Sequence, residues 1–324
     1  MATVLRHTKM NILRGAYACR GMMRSKHLLV AVNLGAAVFA VLAFGVWKHL
    51  NSVDPAKVRF EGTITKGYYD QNVDDVGFIT AANRRVTARA LAGDRVLYDV
   101  IYTTGSDHFR IVPPPAAHPE RCVLLFGDSF TFGIGVNDDE TFAAQIVTKS
   151  KGAVEVKNLA AGGWGPHQFL AGLQTGLFQR AISCRPTDAV YLFIRDHVDR
   201  AVGRVPWDTH GPRFRLGADG QPVRDGHFDS GGGAPKVWTD AEALELTAAL
   251  LEEGGRELRR KYPGIRFHVL TWAGVPEVIR RRLGGRPAAE AIPGYTNEGY
   301  HIPIDGHPNA RAHEGIADYI LSLL

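Results

Sequence analysis

Three cysteines are spread over 324 residues, and no Cys-x-x-Cys occurs. His210, His227 and His301 lie far apart without the spacing of metal ligands, which argues against a structural zinc or other metal site. No Gly-x-Gly-x-x-Gly or Gly-Lys-Ser/Thr is present, so the glycine-rich stretch around Trp164 lacks the features of a nucleotide loop. Internal repeats are absent. No Asp or Glu occurs in the first fifty residues, which hold Arg6, Lys9, Arg14, Arg20, Arg24, Lys26 and Lys48. The net charge of +5 therefore sits at one end, since the rest of the chain carries 31 basic against 33 acidic side chains. A charge confined in this way is not the footprint of a nucleic-acid-binding face.

From Leu28 to Trp47 the chain runs twenty residues without a charge. A helix needs about 20 apolar residues to cross a bilayer core. Six of the seven basic residues precede the run, so the positive-inside bias predicts a cytoplasmic leader (1–27), a membrane anchor (28–47) and everything from residue 50 outward in the periplasmic or extracytoplasmic space. A cleaved signal peptide is the competing reading, but the leader is long and no small-x-small cleavage site is evident. Cys19 is then cytoplasmic, and Cys122 and Cys184 are exported. A bridge between them is chemically allowed there, and two buried thiols are the reading preferred.

Residues 51–117 alternate short β-like runs with Gly, Asp and Asn turns, and predict a small β-rich lead-in without recognisable chemistry. "IVPPPAAHP" (Ile111 to Pro119) reads as a linker. From residue 120 to 324 strands alternate with helices. "CVLLFG", "VEVKNLA", "AVYLFI" and "IRFHVLTW" are the predicted strands, and they are separated by helices, one of which opens on a Thr239-x-x-Glu242 capping box. Apolar strands alternating with helices predict an α/β domain with a parallel sheet covered on both faces. Residues 205–237 are polar, glycine-rich and aperiodic, and read as an insertion loop.

Two stretches carry candidate chemistry. In "VLLFGDSFTFGIG" Gly127 permits a tight exit from a strand, and Ser129 stands at the start of the next helix, where backbone amides favour developing negative charge. In "IDGHPNARAHEG" Asp305 lies two residues before His307, and Asn309 caps the last helix. A serine nucleophile needs a base, and the base needs a carboxylate to set its tautomer. Taken singly, each stretch is equally readable as an ordinary turn.

Taken together, Gly-Asp-Ser-Phe-Thr-Phe-Gly-x-Gly, then "NLAAGGWGPHQ" (Asn158 to Gln168), then Asp-x-His-Pro-Asn before the C-terminal helix resemble the SGNH, or GDSL, hydrolase superfamily over residues 120–324. The resemblance implies a flavodoxin-like three-layer α/β/α domain acting as a serine esterase without a cofactor. Ser129 would be the nucleophile, His307 the base and Asp305 its orienting carboxylate. The Ser129 and Gly163 amides would hold the oxyanion. The sequence departs from the pattern twice. Two residues commonly separate the family's Asp and His, whereas Ile304 stands at that position here and Asp305 resembles the arrangement of some polysaccharide O-acetyltransferases. After the third strand the family's Gly-x-Asn-Asp, whose Asn completes the oxyanion hole, is replaced by "FIRDHVDR"; Asp196 cannot donate when ionised, so His197 is the candidate third donor. Trp164 and Trp207 are candidates for stacking on a sugar ring. The implied substrate is an acyl ester on an envelope glycan or lipid, with O-acyl transfer and non-catalytic glycan binding as the alternatives.

Overall fold

The computed structural model describes residues 58–73, 75–230, 237–272, 274, 276–283, 289–292 and 298–324. All belong to one compact unit, Pro55–Leu324. The leader and the anchor expected at 28–47 lie outside the described residues; among those described, no helix is long and apolar enough to cross a membrane.

The lead-in forms β1 (Val58–Glu61), β2 (Tyr69–Val73), β3 (Gly77–Thr80), β4 (Arg85–Ala92) and β5 (Arg95–Thr103). β1, β4 and β5 make an antiparallel sheet, and β2 pairs with β3 as a hairpin. Along β4 the alternation of Val86, Ala88 and Ala90 with Arg85, Thr87 and Arg89 buries the first set and exposes or half-exposes the second, as the period of a strand requires. The buried face does not close on itself. It packs on Phe132 and Ala160, which belong to stretches quoted above, and on Ile302, which lies just before the Asp305–His307 stretch.

The α/β part comprises β6 (Arg121–Phe126), α1 (Ser129–Phe132), α2 (Phe142–Lys149), β7 (Val154–Asn158), α3 (Pro166–Thr175), β8 (Asp188–Phe193), α4 (His197–Ala201), β9 (Pro212–Leu216), β10 (Pro222–His227), α5 (Asp240–Lys261), β11 (Arg266–Thr271), α6 (Glu277–Leu283), β12 (Ala289–Ala291) and α7 (Ala310–Leu323). The sheet runs β12-β11-β8-β6-β7 with every pairing parallel. Counted from β6 this is the order 2-1-3-4-5, the flavodoxin-like winding, and its reversal point lies between β6 and β8.

β6 shows why the sheet needs two helical layers. Val123 and Leu125 face α2 and α7 in one core, while Leu124 and Phe126 face α3 and α5 in the other. The predicted caps form: Thr239 Oγ1 accepts from the Glu242 amide at 3.2 Å, and Asn309 Oδ1 accepts from the Ala312 amide at 3.0 Å.

Two expectations require correction. Cys122 and Cys184 are joined as a disulfide, with Cα atoms 6.1 Å apart. The reason is tertiary: β8 pairs with β6, so the segment entering β8 passes beside the start of β6. The stretch 205–237 is not an aperiodic loop throughout, because β9 and β10 pair as an antiparallel hairpin within it. It is pinned to the body by Asp208, buried against His167 Nε2 (2.8 Å) and Gln168 Nε2 (2.6 Å) at the start of α3. The apolar face of the lead-in is continuous with that of the α/β part.

α7 contributes a buried titratable group. The His313 ring stacks on Phe142, and its Nδ1 accepts the Phe142 amide at 3.1 Å. Burial, reinforced by the charges of Arg110 and His307, pulls its pKa down to about 3. The folded value lies below the unfolded value of about 6.5, so acid protonates the unfolded chain first and stability falls with pH in that window, by up to about 1.4 kcal/mol per unit. Between pH 7 and pH 5 the wild type is expected to lose about 2 kcal/mol more than His313→Asn in urea titrations. Equal losses in the two proteins would remove His313 as the source.

Candidate active site

Ser129 stands at the carboxyl end of β6, at the topological reversal point where α/β sheets hold their ligands. The exit from β6 is made by Gly127 at φ +146°, and a Cβ there would lie 2.4 Å from Thr131 Oγ1 and 3.1 Å from the Leu192 carbonyl. Only glycine fits this turn. Asp128 caps α1, its Oδ1 accepting the Phe130 amide at 3.0 Å. The first amides of a helix have no intrahelical acceptor, which leaves the Ser129 N–H for an anion.

The structure brings Ser129, His307 and Asp305 together. His307 Nε2 lies 2.9 Å from Ser129 Oγ, and His307 Nδ1 lies 2.5 Å from Asp305 Oδ1. Asp305 Oδ1 also accepts the His307 amide at 3.2 Å. The carboxylate is therefore held by its own loop, and the two-residue spacing reaches the ring. The loop is tight: Ile302 N–H donates to the His307 carbonyl at 2.8 Å, and Gly306 N–H donates to the Ile302 carbonyl at 2.9 Å. Ile304 sits at φ 72°, a left-handed conformation that a β-branched residue rarely adopts. Strain of this kind persists where surrounding structure dictates it, and it clusters at functional loops. The His307 ring leans on Phe130 (5.4 Å), which packs on Trp272, and Trp272 meets His301. His301 Nδ1 in turn approaches the Gly306 carbonyl at 2.9 Å, so this histidine braces the same loop.

The second stretch passes beside the serine. A Cβ built on Gly162 would lie 3.9 Å from Ser129 Cβ. Gly163 takes φ +86°, closing a turn in which the Trp164 amide donates to the Ala161 carbonyl at 3.3 Å. Trp164 is a buried wedge, its Nε1 donating to the Phe78 carbonyl at 2.8 Å, and offers no face to a ligand. Trp207 is different: it is half-exposed, with Nε1 3.4 Å from the Gly163 carbonyl.

His197 is not brought to the oxyanion position. It is fully buried, its Nδ1 accepts from Tyr191 Oη (3.2 Å) and from the Ile194 amide (3.4 Å), and its Nε2 faces Asp128 Oδ2 at 3.4 Å. The reason is that α4 begins directly after β8 and turns the ring inward, beneath the nucleophile turn. Asp196, at the family's Asn position, has a side chain 73% exposed.

Sequence reasoning missed two arginines. Arg200 Nη1 donates to Asp128 Oδ2 (2.6 Å) and to the Trp164 carbonyl (2.8 Å), tying the nucleophile turn to the glycine stretch. Burial alone would raise the Asp128 pKa, but the Arg200 guanidinium and the His197 ring hold the carboxyl well below the usual carboxylate range. Arg110, at the entrance of the presumed linker, has a fully buried side chain that donates to the Phe132, Gly133, Val136 and Ile101 carbonyls and to Asp138 Oδ1. A carboxylate paired with an arginine far along the chain carries no sequence-local signal, and an isolated Arg beside three prolines reads as surface.

The remaining charges and clefts lead elsewhere. Among the arginines at the end of α5, the start of β11 and along α6, Arg260 pairs with Glu257, Arg266 with Asp188, Arg280 with Glu277, Arg281 with Glu245, and Arg282 with Glu245 and Glu252. A cavity of about 680 Å³ near Cys184 opens at the opposite, amino-terminal end of the strands. His210 and His227 stack at 4.2 Å on the β9–β10 hairpin, with His210 Nδ1 2.9 Å from Asp229. Among the described residues no group of three or more His, Cys, Asp or Glu could hold a metal.

No protein-family model matches the sequence, and no curated protein matches it. Solved structures similar to the chain include a G-D-S-L family lipolytic protein, so titled, from Desulfitobacterium hafniense DCB-2 (14% identity, 63% of this chain and 99% of that one, TM-score 0.40). They also include an acetyl xylan esterase from Butyrivibrio proteoclasticus (13% identity, 76% and 71%, TM-score 0.41) and a family two carbohydrate esterase from Clostridium thermocellum, solved with cellohexaose (13% identity, 65% and 64%, TM-score 0.37). At this degree of similarity the architecture of the chain rests on its own strand order, and its chemistry on its own geometry.

Proposed function

We propose that this protein is a serine ester hydrolase of the SGNH/GDSL kind, acting on an acyl ester, in particular an acetyl ester, of a cell-envelope glycan or lipid. The observation that carries the reading is the unbroken relay from Ser129 Oγ to His307 Nε2 (2.9 Å) and from His307 Nδ1 to Asp305 Oδ1 (2.5 Å) at the carboxyl end of the central strand. In this arrangement Asp305 keeps the proton of His307 on Nδ1, which leaves Nε2 to take the serine proton as Oγ attacks the ester carbonyl. The alcohol leaves with that proton, and water repeats the sequence to release the acid. The Ser129 and Gly163 amides stabilise the oxyanion at each addition, and such preorganised donors contribute about 3 kcal/mol each.

Two features support the substrate and the location. The Cys122–Cys184 disulfide suits an oxidising compartment, in line with a domain exported behind an anchor at 28–47. The half-exposed Trp207 beside Gly163 presents an aromatic face of the sort that stacks on a sugar ring.

The test is labelling by a fluorophosphonate together with turnover of p-nitrophenyl acetate. Wild type is expected to be modified at Ser129 and to release p-nitrophenol, and Ser129→Ala is expected to do neither. Unlabelled Ser129 in folded wild type, or unchanged turnover in Ser129→Ala, would refute the assignment.

A further inference from the structure

We propose that the Tyr69 hydroxyl, delivered by the lead-in hairpin, is the third oxyanion donor of this site, a role that rests on the esterase reading above. The position the resemblance implies for that donor holds no usable group, because Asp196 points to solvent and His197 is sealed under Asp128. Tyr69 approaches from the other side. The point where a Gly162 Cβ would sit lies 2.7 Å from Tyr69 Oη and 3.9 Å from Ser129 Cβ. The phenol oxygen and the Cβ of Ser129 therefore flank the same small space, which Ile134 Cδ1 also borders at 3.1 Å, beside the turn made by Gly163. The same contact explains glycine at 162, since any side chain there would displace the phenol.

The ring is held for this purpose. Tyr69 opens β2 in register with Thr80 of β3, and its ring meets Tyr68 and Phe78 edge-on at 5.2 and 5.9 Å. Phe78 also abuts Gly163, so the hairpin and the glycine turn are positioned together. Among the described residues no protein group hydrogen-bonds the Tyr69 hydroxyl, and it is not sealed from solvent as the Tyr68 hydroxyl is, which leaves it free to donate to a developing oxyanion. Burial, and then the neighbouring Tyr102, push the Tyr69 pKa well above its ordinary value, so the hydroxyl keeps its proton and can only donate to an anion.

The step balances. Ser129 Oγ forms a bond to the ester carbon, its proton passes to His307 Nε2, and the carbonyl electron pair moves onto oxygen, where the Ser129 and Gly163 amides and the Tyr69 hydroxyl donate to it. Collapse returns the pair, and the alkoxide leaves with the proton from His307. Tyr69 transfers no proton in either half of the reaction.

The test compares full-chain wild type with Tyr69→Phe, which keeps the ring packing and removes only the hydroxyl. For p-nitrophenyl acetate, kcat is expected to fall about 10²–10³-fold with KM nearly unchanged, the cost of one lost oxyanion donor. Phenylboronic acid, whose tetrahedral adduct with Ser129 sets an oxygen in the same space, is expected to bind the variant at least tenfold more weakly, with the thermal midpoint unmoved. A kcat within threefold of wild type, or a lower kcat with unchanged boronate affinity, overturns the assignment of Tyr69. Absence of both turnover and Ser129-dependent boronate binding in wild type instead overturns the esterase reading, and the assignment of Tyr69 with it. Gly162→Ala, which sets a methyl group where the phenol oxygen approaches, is expected to reproduce the loss in kcat; a fully active Gly162→Ala would count against the proposal.

Discussion

Replacing His307 by alanine is expected to lower kcat/KM for p-nitrophenyl acetate by about 10⁴-fold or more, with folding stability changed little. The ring is part-exposed at the rim, and without it Asp305 still accepts the backbone amide of residue 307, so the loss falls on chemistry and not on folding. Without the imidazole, Ser129 Oγ has no acceptor for its proton within reach among the described residues. Asp305→Asn is expected to cost a similar order of activity by a different route: an amide cannot hold the Nδ1 proton as a carboxylate does, and the wrong tautomer presents N–H to the serine. Because Asp305 acts only through His307, the two losses are not additive. The double variant is expected to be no worse than His307→Ala alone. Steady-state kinetics on the three variants check this, and losses that multiply in the double variant would mean that Asp305 acts on something besides the ring.

The second large effect concerns folding. Arg110→Met is expected to destabilise the protein by about 3–5 kcal/mol, because it strips the partner from a part-buried carboxylate and from several buried carbonyls at once. The guanidinium occupies the carboxyl-terminal end of α1, where the Phe132 and Gly133 carbonyls have no intrahelical donor, and it lies over the rings of Tyr102 and Phe132 at 4.6 and 5.0 Å. Arg110→Lys is not expected to rescue, since one ammonium cannot span carbonyls that a planar fork of five donors bridges. As Ser129 opens the same four-residue helix, loosening its far end is expected to lower kcat in parallel. Urea denaturation gives the first quantity, and turnover gives the second. A cost below about 1 kcal/mol would mean that water or neighbouring side chains replace these bonds.

The elements of the α/β part are legible in the chain because each depends on local pattern. Apolar runs bounded by glycine become β6, β8 and β11, and Thr239 with Glu242 marks the start of α5 within a residue. Weakly patterned elements are not legible: β12 is three residues long, and the β9–β10 hairpin is rich in glycine and charge, so neither stands out by periodicity. Ser129, Asp305, His307 and Gly163 are recognisable because their surroundings in sequence are distinctive. Tyr69, Arg110 and Arg200 are not, because the parts of the Ser129 turn and of the glycine stretch that they contact lie between 22 and 93 residues away along the chain, and nothing near them in sequence announces it.

What the sequence determined by itself is the set of short-range commitments: alternation that makes strands, caps that start helices, a glycine that turns after β6, and an Asp two residues from a His. These follow from backbone sterics and hydrogen bonding within a few residues. Only the tertiary structure decided which side chains share a volume. It closed a disulfide where two thiols were expected, turned His197 under Asp128, and folded the lead-in against the α/β part so that Arg110 reaches the end of α1 and Tyr69 reaches Gly162. The physical reason is that burial of the apolar lead-in face drives a long-range docking, and the polar groups carried along with it must then find their partners wherever that docking sets them.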